Sequence, residues 1–140
     1  MISINSVKAP KPVGAYPHAR IAGDFMFLSG VGPRKPNTTQ IPGVQINDQG
    51  QVISYDVTVE TESVIENVKN ILAEAGYGLN HIVDVQVFLT DMKNDFAAFN
   101  KVYEKYFKDI MATRTTVQVV ALPTPIHVEF KVTAYIKEEI

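Results

Sequence analysis

The sequence contains no cysteine. This absence excludes a disulfide framework, a zinc–thiolate site and a catalytic thiolate, and it fits a reducing cytosol. Residues Met1 to Lys8 show no basic segment followed by a long apolar run, so we expect no signal peptide. Further along, no apolar stretch approaches the roughly 20 residues that a membrane helix needs. We therefore expect a cytoplasmic protein.

An excess of positive charge is also missing. The formal net charge is −2, which argues against general nucleic-acid binding, because that binding relies on neutralising phosphates with Lys and Arg. The chain has 46% hydrophobic and 20% charged residues, which is typical of a globular protein. Its 140 residues suit one domain, from 1 to 140, that buries roughly two thirds of its unfolded surface.

The common cofactor, metal and nucleophile motifs are missing as well. Gly30-Val-Gly32 lacks the third glycine and the following helix of a dinucleotide fingerprint. Ser29 has no G-x-S-x-G context, which disfavours a hydrolase triad. The histidines have no metal-ligand spacing; they are His18, His81 and His127. We predict neither a metal site nor a cofactor.

Hydrophobic periodicity predicts strands and helices in a mixed order. Gly23-Asp24 suits a hairpin turn between the first two strands. The predicted strands are 19–22, 25–29, 51–54, 82–89, 114–122 and 127–137, and the predicted helices run from 56 to 75 and from 94 or 95 to about 107. This order indicates an α+β fold with both helices on one face of the sheet.

The opposite face of the predicted sheet mixes apolar and polar residues. We place on it Phe88, Val120, Leu122, Thr116, Gln118 and Glu129. Such a face is too apolar for free exposure to water and too polar for a dry core. Contact between subunits explains the mixture, and pockets then lie at the seams.

Polar side chains near strand ends are the remaining candidates for chemistry. Arg114 offers a planar fork that matches a carboxylate, although a surface charge or a structural salt bridge is the commoner role from spacing alone. Glu129 interrupts an apolar strand, where a carboxyl can have a raised pKa, or can simply face solvent or pair with a lysine. Tyr16 and Asn100 equally suit packing roles. Ser29-Gly30 is either a plain turn or a place where a ligand approaches the backbone.

Several segments in order carry a resemblance to a known family. They are Gly14-Ala-Tyr16, Phe27-Leu-Ser-Gly30, Asn67-Val-Lys-Asn-Ile-Leu72, Asp84-Val-Gln-Val-Phe-Leu89, Asp95-Phe96 with Asn100-Lys-Val-Tyr103, Arg114-Thr-Thr-Val-Gln-Val119, and Leu122-Pro followed by Val128-Glu129. Together they resemble the YjgF/RidA family, also labelled L-PSP endoribonuclease or translation inhibitor. The resemblance spans nearly the whole chain.

The resemblance implies a chorismate-mutase-like fold and a homotrimer with a cleft at each subunit seam. It implies hydrolysis of reactive enamines and imines, such as 2-aminoacrylate, to a keto acid and ammonia without a cofactor. It assigns the substrate carboxylate to Arg114, and water activation or proton transfer to Glu129. The positions that it implies for lining or shaping the pocket are Tyr16, Ser29, Gly30, Asn100 and Thr116.

Departures from the common pattern leave the substrate open. The irregular segment from Gly32 to Gly50 is longer than in the common members, and Thr116 stands where cysteine is frequent. Arg-Thr-Thr-Val with Leu-Pro-x-Pro looks like the 2-aminomuconate deaminase subgroup. Besides a deaminase, two hypotheses remain: an endoribonuclease or translation inhibitor, and a non-catalytic trimer that binds a carboxylate metabolite.

Overall fold

The computed structural model describes residues 1–137. Within that range the elements are β1 (Ile2–Ile4), β2 (Ala19–Ala22), β3 (Phe25–Leu28), β4 (Val44–Ile46), β5 (Val52–Tyr55), α1 (Val57–Glu74), a 3₁₀ turn (Leu79–His81), β6 (Ile82–Leu89), α2 (Met92–Phe107), β7 (Thr113–Gln118) and β8 (Val128–Tyr135). One sheet has the strand order β1-β2-β3-β8-β6-β7, and β4 pairs with β5 in a separate hairpin. Strands β6 and β7 run parallel, whereas the other neighbours in the sheet are antiparallel.

Local sequence signals explain the best-predicted elements. Gly23 has a φ of 59° in the β2–β3 turn, a left-handed conformation that glycine adopts without a steric penalty. Asp56 caps α1, since its carboxylate accepts the N–H groups of Thr58 and Val59. Gly76, with a φ of 87°, follows the end of the helix. The predictions of this hairpin and this helix are therefore confirmed.

Other predicted boundaries were wrong. Helix α2 begins at Met92, two residues before the predicted start, because Asp91 is its N-cap and accepts the N–H of Asn94. Strand β7 ends at Gln118, four residues before the predicted end at Leu122. The three-residue strand β1 was missed, and the segment from 32 to 50 contains strand β4. These errors arise where strands are short or where a polar cap precedes the apolar stripe.

The helices cover one face of the mixed sheet, as predicted, and the core lies between them. Val85, Val87 and Leu89 of β6 are fully buried on this side. Residues that oppose one another in adjacent strands share a face. Thr116 opposes Val87 and Gln118 opposes Leu89, so both lie on the helix side, and our placement of them on the other face was wrong.

The other face of the sheet, here called the open face, carries no helix. Glu129 opposes Phe88 on this face, as predicted. An aromatic patch lies further along it, with Phe25, Phe27 and Tyr135 exposed by 41%, 43% and 37%. The rings of Phe25 and Tyr135 are 5.3 Å apart. A contiguous apolar patch of this kind marks a surface that another molecule can cover.

Candidate active site

Glu129 lines an open cleft at one end of the sheet, with a cavity volume of about 90 Å³. Three stretches form its walls: residues 10–13, the strand end Ser29–Gly32, and Pro123, Thr124 and Ile126 before β8. Tyr16 also lines it. We call this space the Glu129 cleft. It brings together four of the predicted site residues: Tyr16, Ser29, Gly30 and Glu129.

Glu129 has the environment of a proton-transfer group. Its half-buried carboxyl lies against Gly30, where an added Cβ would come within 2.8 Å of Glu129 Oε2. A larger residue at position 30 would therefore displace the end of the Glu129 side chain, so glycine permits this close approach. Burial raises the pKa of Glu129, and this is the sole cause of the shift. The carboxyl can therefore exchange a proton nearer to neutral pH than an ordinary glutamic acid.

Ser29 shapes the wall of the cleft. Its Oγ donates a hydrogen bond of 2.7 Å to the carbonyl of Pro17. Its backbone N–H donates to the carbonyl of His18 at 2.9 Å. Both bonds hold the turn that presents Tyr16, which is 42% exposed. Ser29 thus holds the turn of Tyr16 in place, and its hydroxyl oxygen keeps the capacity to accept a hydrogen bond.

His18 fixes the opposite wall, a role that the sequence pattern did not reveal. Its Nδ1 accepts the backbone N–H of Ser6 at 2.9 Å, which places the ring proton on Nε2. Nε2 then donates to the carbonyl of Pro10 at 2.6 Å. The ring is buried and neutral with both nitrogens engaged, so its role is to anchor the chain rather than to transfer protons.

Arg114 lies apart from this cleft, on the helix side of β7. Its Nη1 donates a 2.7 Å hydrogen bond to Asn100 Oδ1. Its guanidinium carbon lies 4.6 Å from the ring centroid of Tyr103 and 5.4 Å from that of Phe99. The guanidinium of Arg114 is therefore stabilised by attraction to the faces of the aromatic rings and by the hydrogen bond to the Asn100 amide. Among residues 1–137 no carboxylate forms a salt bridge with Arg114, so the structural ion pair that spacing favoured is not found there.

Two buried hydroxyls near Arg114 have no hydrogen-bond partner within residues 1–137. They are Thr116 Oγ1 and Tyr103 Oη. Thr116 lies two residues after Arg114 and on the same face of β7. A buried polar atom without a partner is uncommon and calls for a ligand, a solvent molecule or a second chain. We call Arg114, Asn100, Tyr103 and Thr116 the Arg114 cluster.

Within a single chain, the Glu129 cleft and the Arg114 cluster are far apart. Arg114 aligns through Val85 with Val132 of β8, two strands away. With about 4.8 Å between strands and about 3.3 Å per residue, the Cα atoms of Arg114 and Glu129 are roughly 14 Å apart. The two residues also lie on opposite faces of the sheet. A small substrate therefore cannot contact both side chains of a single chain.

Residues 1–137 provide neither a metal cluster nor a membrane-spanning helix. No group of three or more His, Asp or Glu side chains in this range is placed to hold a metal ion. No helix in the same range is long and apolar enough to cross a membrane.

Comparisons with known proteins agree over nearly the whole chain. The family model for "Endoribonuclease L-PSP" matches residues 6–136. A RutC family protein from Pyrococcus horikoshii is 40% identical over 127 residues, which are 91% of each chain. The structure of Escherichia coli TdcF with bound serine has a TM-score of 0.82 and 33% identity, covering 98% of this chain and 100% of that one. RidA from an Antarctic Psychrobacter has a TM-score of 0.83 and 32% identity, covering 97% and 100%.

The matches run through both groups of candidate residues. The family model includes the segments that carry Tyr16 and Ser29 and those that carry Arg114 and Glu129. The fold of the solved relatives is the one described above, with two helices on a mixed sheet. The chain belongs to the YjgF/RidA family, whose family model is described as endoribonuclease L-PSP.

Proposed function

We propose that this protein is a hydrolytic deaminase of reactive enamines and imines that releases a keto acid and ammonia. Arg114 holds the substrate carboxylate, and Glu129 moves the proton. The observation that carries the proposal is the contrast between these groups. The guanidinium of Arg114 has no acidic partner among residues 1–137 and lies against the aromatic rings of α2. The carboxyl of Glu129 has a raised pKa and lines an open cleft.

The separation of the two groups supports a site built from two subunits. Strand β7 is the last strand of the six-stranded sheet, so among residues 1–137 its outer edge is free to meet a neighbouring chain, and this strand carries Arg114. The open face has exposed aromatic rings that association would bury. We place a homotrimer contact on this face, with Arg114 of one subunit completing the Glu129 cleft of the next. Light scattering tests the assembly, for which we expect the mass of three chains.

The reaction follows from the charges. The enamine first tautomerises to an imine, whose carbon is electrophilic. Glu129 in its carboxylate form takes a proton from water as the water oxygen bonds to that carbon. The glutamic acid then returns that proton to nitrogen, which gives a carbinolamine. The proton of the new hydroxyl group next passes through Glu129 to the amine, and ammonia leaves as the C–N bond breaks and the carbonyl forms. Arg114 orients the substrate throughout, so that positioning and charge placement supply the acceleration.

The test is keto-acid release from 2-aminoacrylate generated in the assay, with wild type against Arg114→Ala. We expect the variant to be slower by about a hundredfold, because loss of orientation has an effect of that order. Lys69→Ala is the control, since Lys69 is an exposed cation on α1, away from the cleft and from the open face of the sheet. Equal rates for wild type and Arg114→Ala would remove Arg114 from the mechanism. The same assay with 2-aminomuconate tests the subgroup assignment.

A non-catalytic carboxylate binder is the second candidate. The relative TdcF was solved with bound serine, a small carboxylate, and binding alone would need only the arginine. Retained keto-acid binding with no turnover by wild type would favour this candidate. The endoribonuclease alternative has weaker support, because the one histidine that lines the Glu129 cleft, His18, has both ring nitrogens engaged.

A further inference from the structure

Two cationic side chains line the Glu129 cleft and have no role in the proposed reaction. They are Lys11 and Arg34. Neither forms a salt bridge with a carboxylate of residues 1–137. Among residues 1–137, Glu129 is the one carboxylate that lines the cleft, so these two cations outnumber it there.

Arg34 is held in place by helix α1. The buried Asn67 of α1 donates from Nδ2 to the carbonyls of Gly32 and Arg34, at 2.9 Å and 3.0 Å. Ser63 on the same helix donates from Oγ to the carbonyl of Pro33 at 2.7 Å. Three consecutive carbonyls are thus fixed to one helix. The backbone of Arg34 is rigid, and its side chain is half-buried rather than free in solvent.

The segment that carries Lys11 is fixed as well. The guanidinium of Arg34 donates to the carbonyl of Lys11. His18 holds the adjacent carbonyl of Pro10, and Asn70 Nδ2 donates to the carbonyl of Lys8 at 3.0 Å. The backbone that carries both cations is therefore held by hydrogen bonds, whereas the side chain of Lys11 is exposed.

The hydrogen bond to the Lys11 carbonyl uses only part of the donor capacity of the Arg34 guanidinium. A guanidinium has five N–H donors, and this hydrogen bond uses one nitrogen. The side chain of Lys11 takes no part in it, because the acceptor is the backbone carbonyl. A planar fork next to a lysine in a cleft has the donor geometry that binds a carboxylate.

We propose that Arg34 and Lys11 form a second carboxylate subsite, so that the preferred substrates are dicarboxylic enamines or imines. This inference rests on the proposed function, in which Arg114 holds the first carboxylate. Arg34 contributes the oriented hydrogen bonds, and Lys11 contributes charge. The deamination products are then dicarboxylic keto acids.

Calorimetric titration of the intact protein with two keto acids of equal length tests the inference. The probes are 2-oxoglutarate and 2-oxopentanoate, which both have five carbons but differ in the second carboxylate. We expect wild type to bind 2-oxoglutarate at least about tenfold more tightly, a difference of about 1.4 kcal/mol. Arg34→Met and, separately, Lys11→Met should reduce that ratio. Lys35→Met should keep it, because Lys35 is an exposed neighbour outside the cleft.

Lys11→Met keeps the inference testable if Arg34→Met does not fold, since the lysine side chain makes no hydrogen bond to the wall. Equal affinities of wild type for the two acids would overturn the subsite and leave the proposed deaminase intact. A preserved preference without any turnover of enamines would instead overturn the deaminase and leave the subsite. Inorganic phosphate that displaces 2-oxoglutarate from wild type but not from Arg34→Met would overturn the assignment to carboxylate and indicate a phosphate site.

Discussion

Two buried or half-buried glutamates of this protein differ in the partners of their carboxyl groups. Glu60 on α1 is fully buried, and Glu129 on β8 is half-buried. Burial is the largest cause of a raised pKa in both. The carboxylate of Glu60 accepts the backbone N–H of His127 at 2.9 Å and lies 2.8 Å from His127 Nδ1. Among residues 1–137, Glu129 has no partner of this kind, which suits the proton transfer that we propose for it.

The partners of Glu60 extend into a network that joins four elements. The ring of His127 stacks on that of Tyr55 at 3.5 Å and 4°. Tyr55 donates from its hydroxyl to Asp95 Oδ2 at 2.8 Å. The network connects α1, β5, α2 and the start of β8, and His127 is two residues before Glu129. The hydrogen bonds of Glu60 therefore hold the start of β8, the strand that carries Glu129.

The largest expected effect is on turnover by Glu129→Gln. The amide keeps the size of the side chain but cannot exchange protons, so we expect kcat to fall by about 10²- to 10⁴-fold. Keto-acid binding should persist, because Arg114 is intact. The measurement is ammonia release together with calorimetric titration. Unchanged kcat would remove Glu129 from proton transfer and end its contrast with Glu60.

The second effect is on stability and falls on Glu60. Glu60→Ala leaves a cavity and an unpaired His127, so we expect the free energy of unfolding to drop by about 3 kcal/mol. Glu60→Gln is the matched control, because an amide can still accept the His127 N–H and donate to Nδ1. Urea unfolding measures both variants. A loss in Glu60→Gln as large as in Glu60→Ala would show that the charge, not the hydrogen bonds, stabilises the network.

A smaller effect is expected from Gly30→Ala. The new Cβ would lie within 2.8 Å of Glu129 Oε2, so the carboxyl must move by a few tenths of an ångström or more. We expect kcat to fall by about tenfold, since small displacements of a reacting group slow catalysis. Gly23→Ala gives a control for stability alone, because nothing lies within 4 Å of its Cβ position while its backbone is strained. Wild-type kcat in Gly30→Ala would show that the close contact is not needed.

The smallest effect is on the pH dependence of stability. A raised pKa in the folded state stabilises the protein below the unfolded value, which is near 4.5 for Glu129, and this contribution is lost as pH rises through the folded pKa. Wild type should therefore lose stability relative to Glu129→Gln as pH increases above about 4.5. Asp91→Asn should show the opposite trend, because hydrogen bonds from Asn94 lower the pKa of Asp91. Thermal unfolding from about pH 2 to 8 measures both signs, because the contribution of Asp91 changes below its unfolded pKa of 3.8. Parallel curves for wild type and Glu129→Gln would contradict the prediction for Glu129.

Helix α1 and the β2–β3 hairpin could be predicted from local signals in the chain. Helix α1 has an Asp cap, an apolar stripe and a closing glycine within a single stretch, and the β2–β3 hairpin has its glycine at the turn. Alternation also marked Glu129 as facing away from Val128 and Phe130, which the register confirms. These features depend on neighbours in the chain and are therefore readable from it.

Contacts between segments that are far apart in the chain could not be predicted from the sequence and are seen in the folded structure. Alternation gives the face of a residue within its own strand, but the pairing through β6 was needed to show that Arg114 and Glu129 lie on opposite faces. The contact between Glu60 and His127 spans 67 positions, and the one between Arg34 and Lys11 spans 23. No periodic pattern encodes such contacts, because they arise from strand register and from how loops pack against a helix.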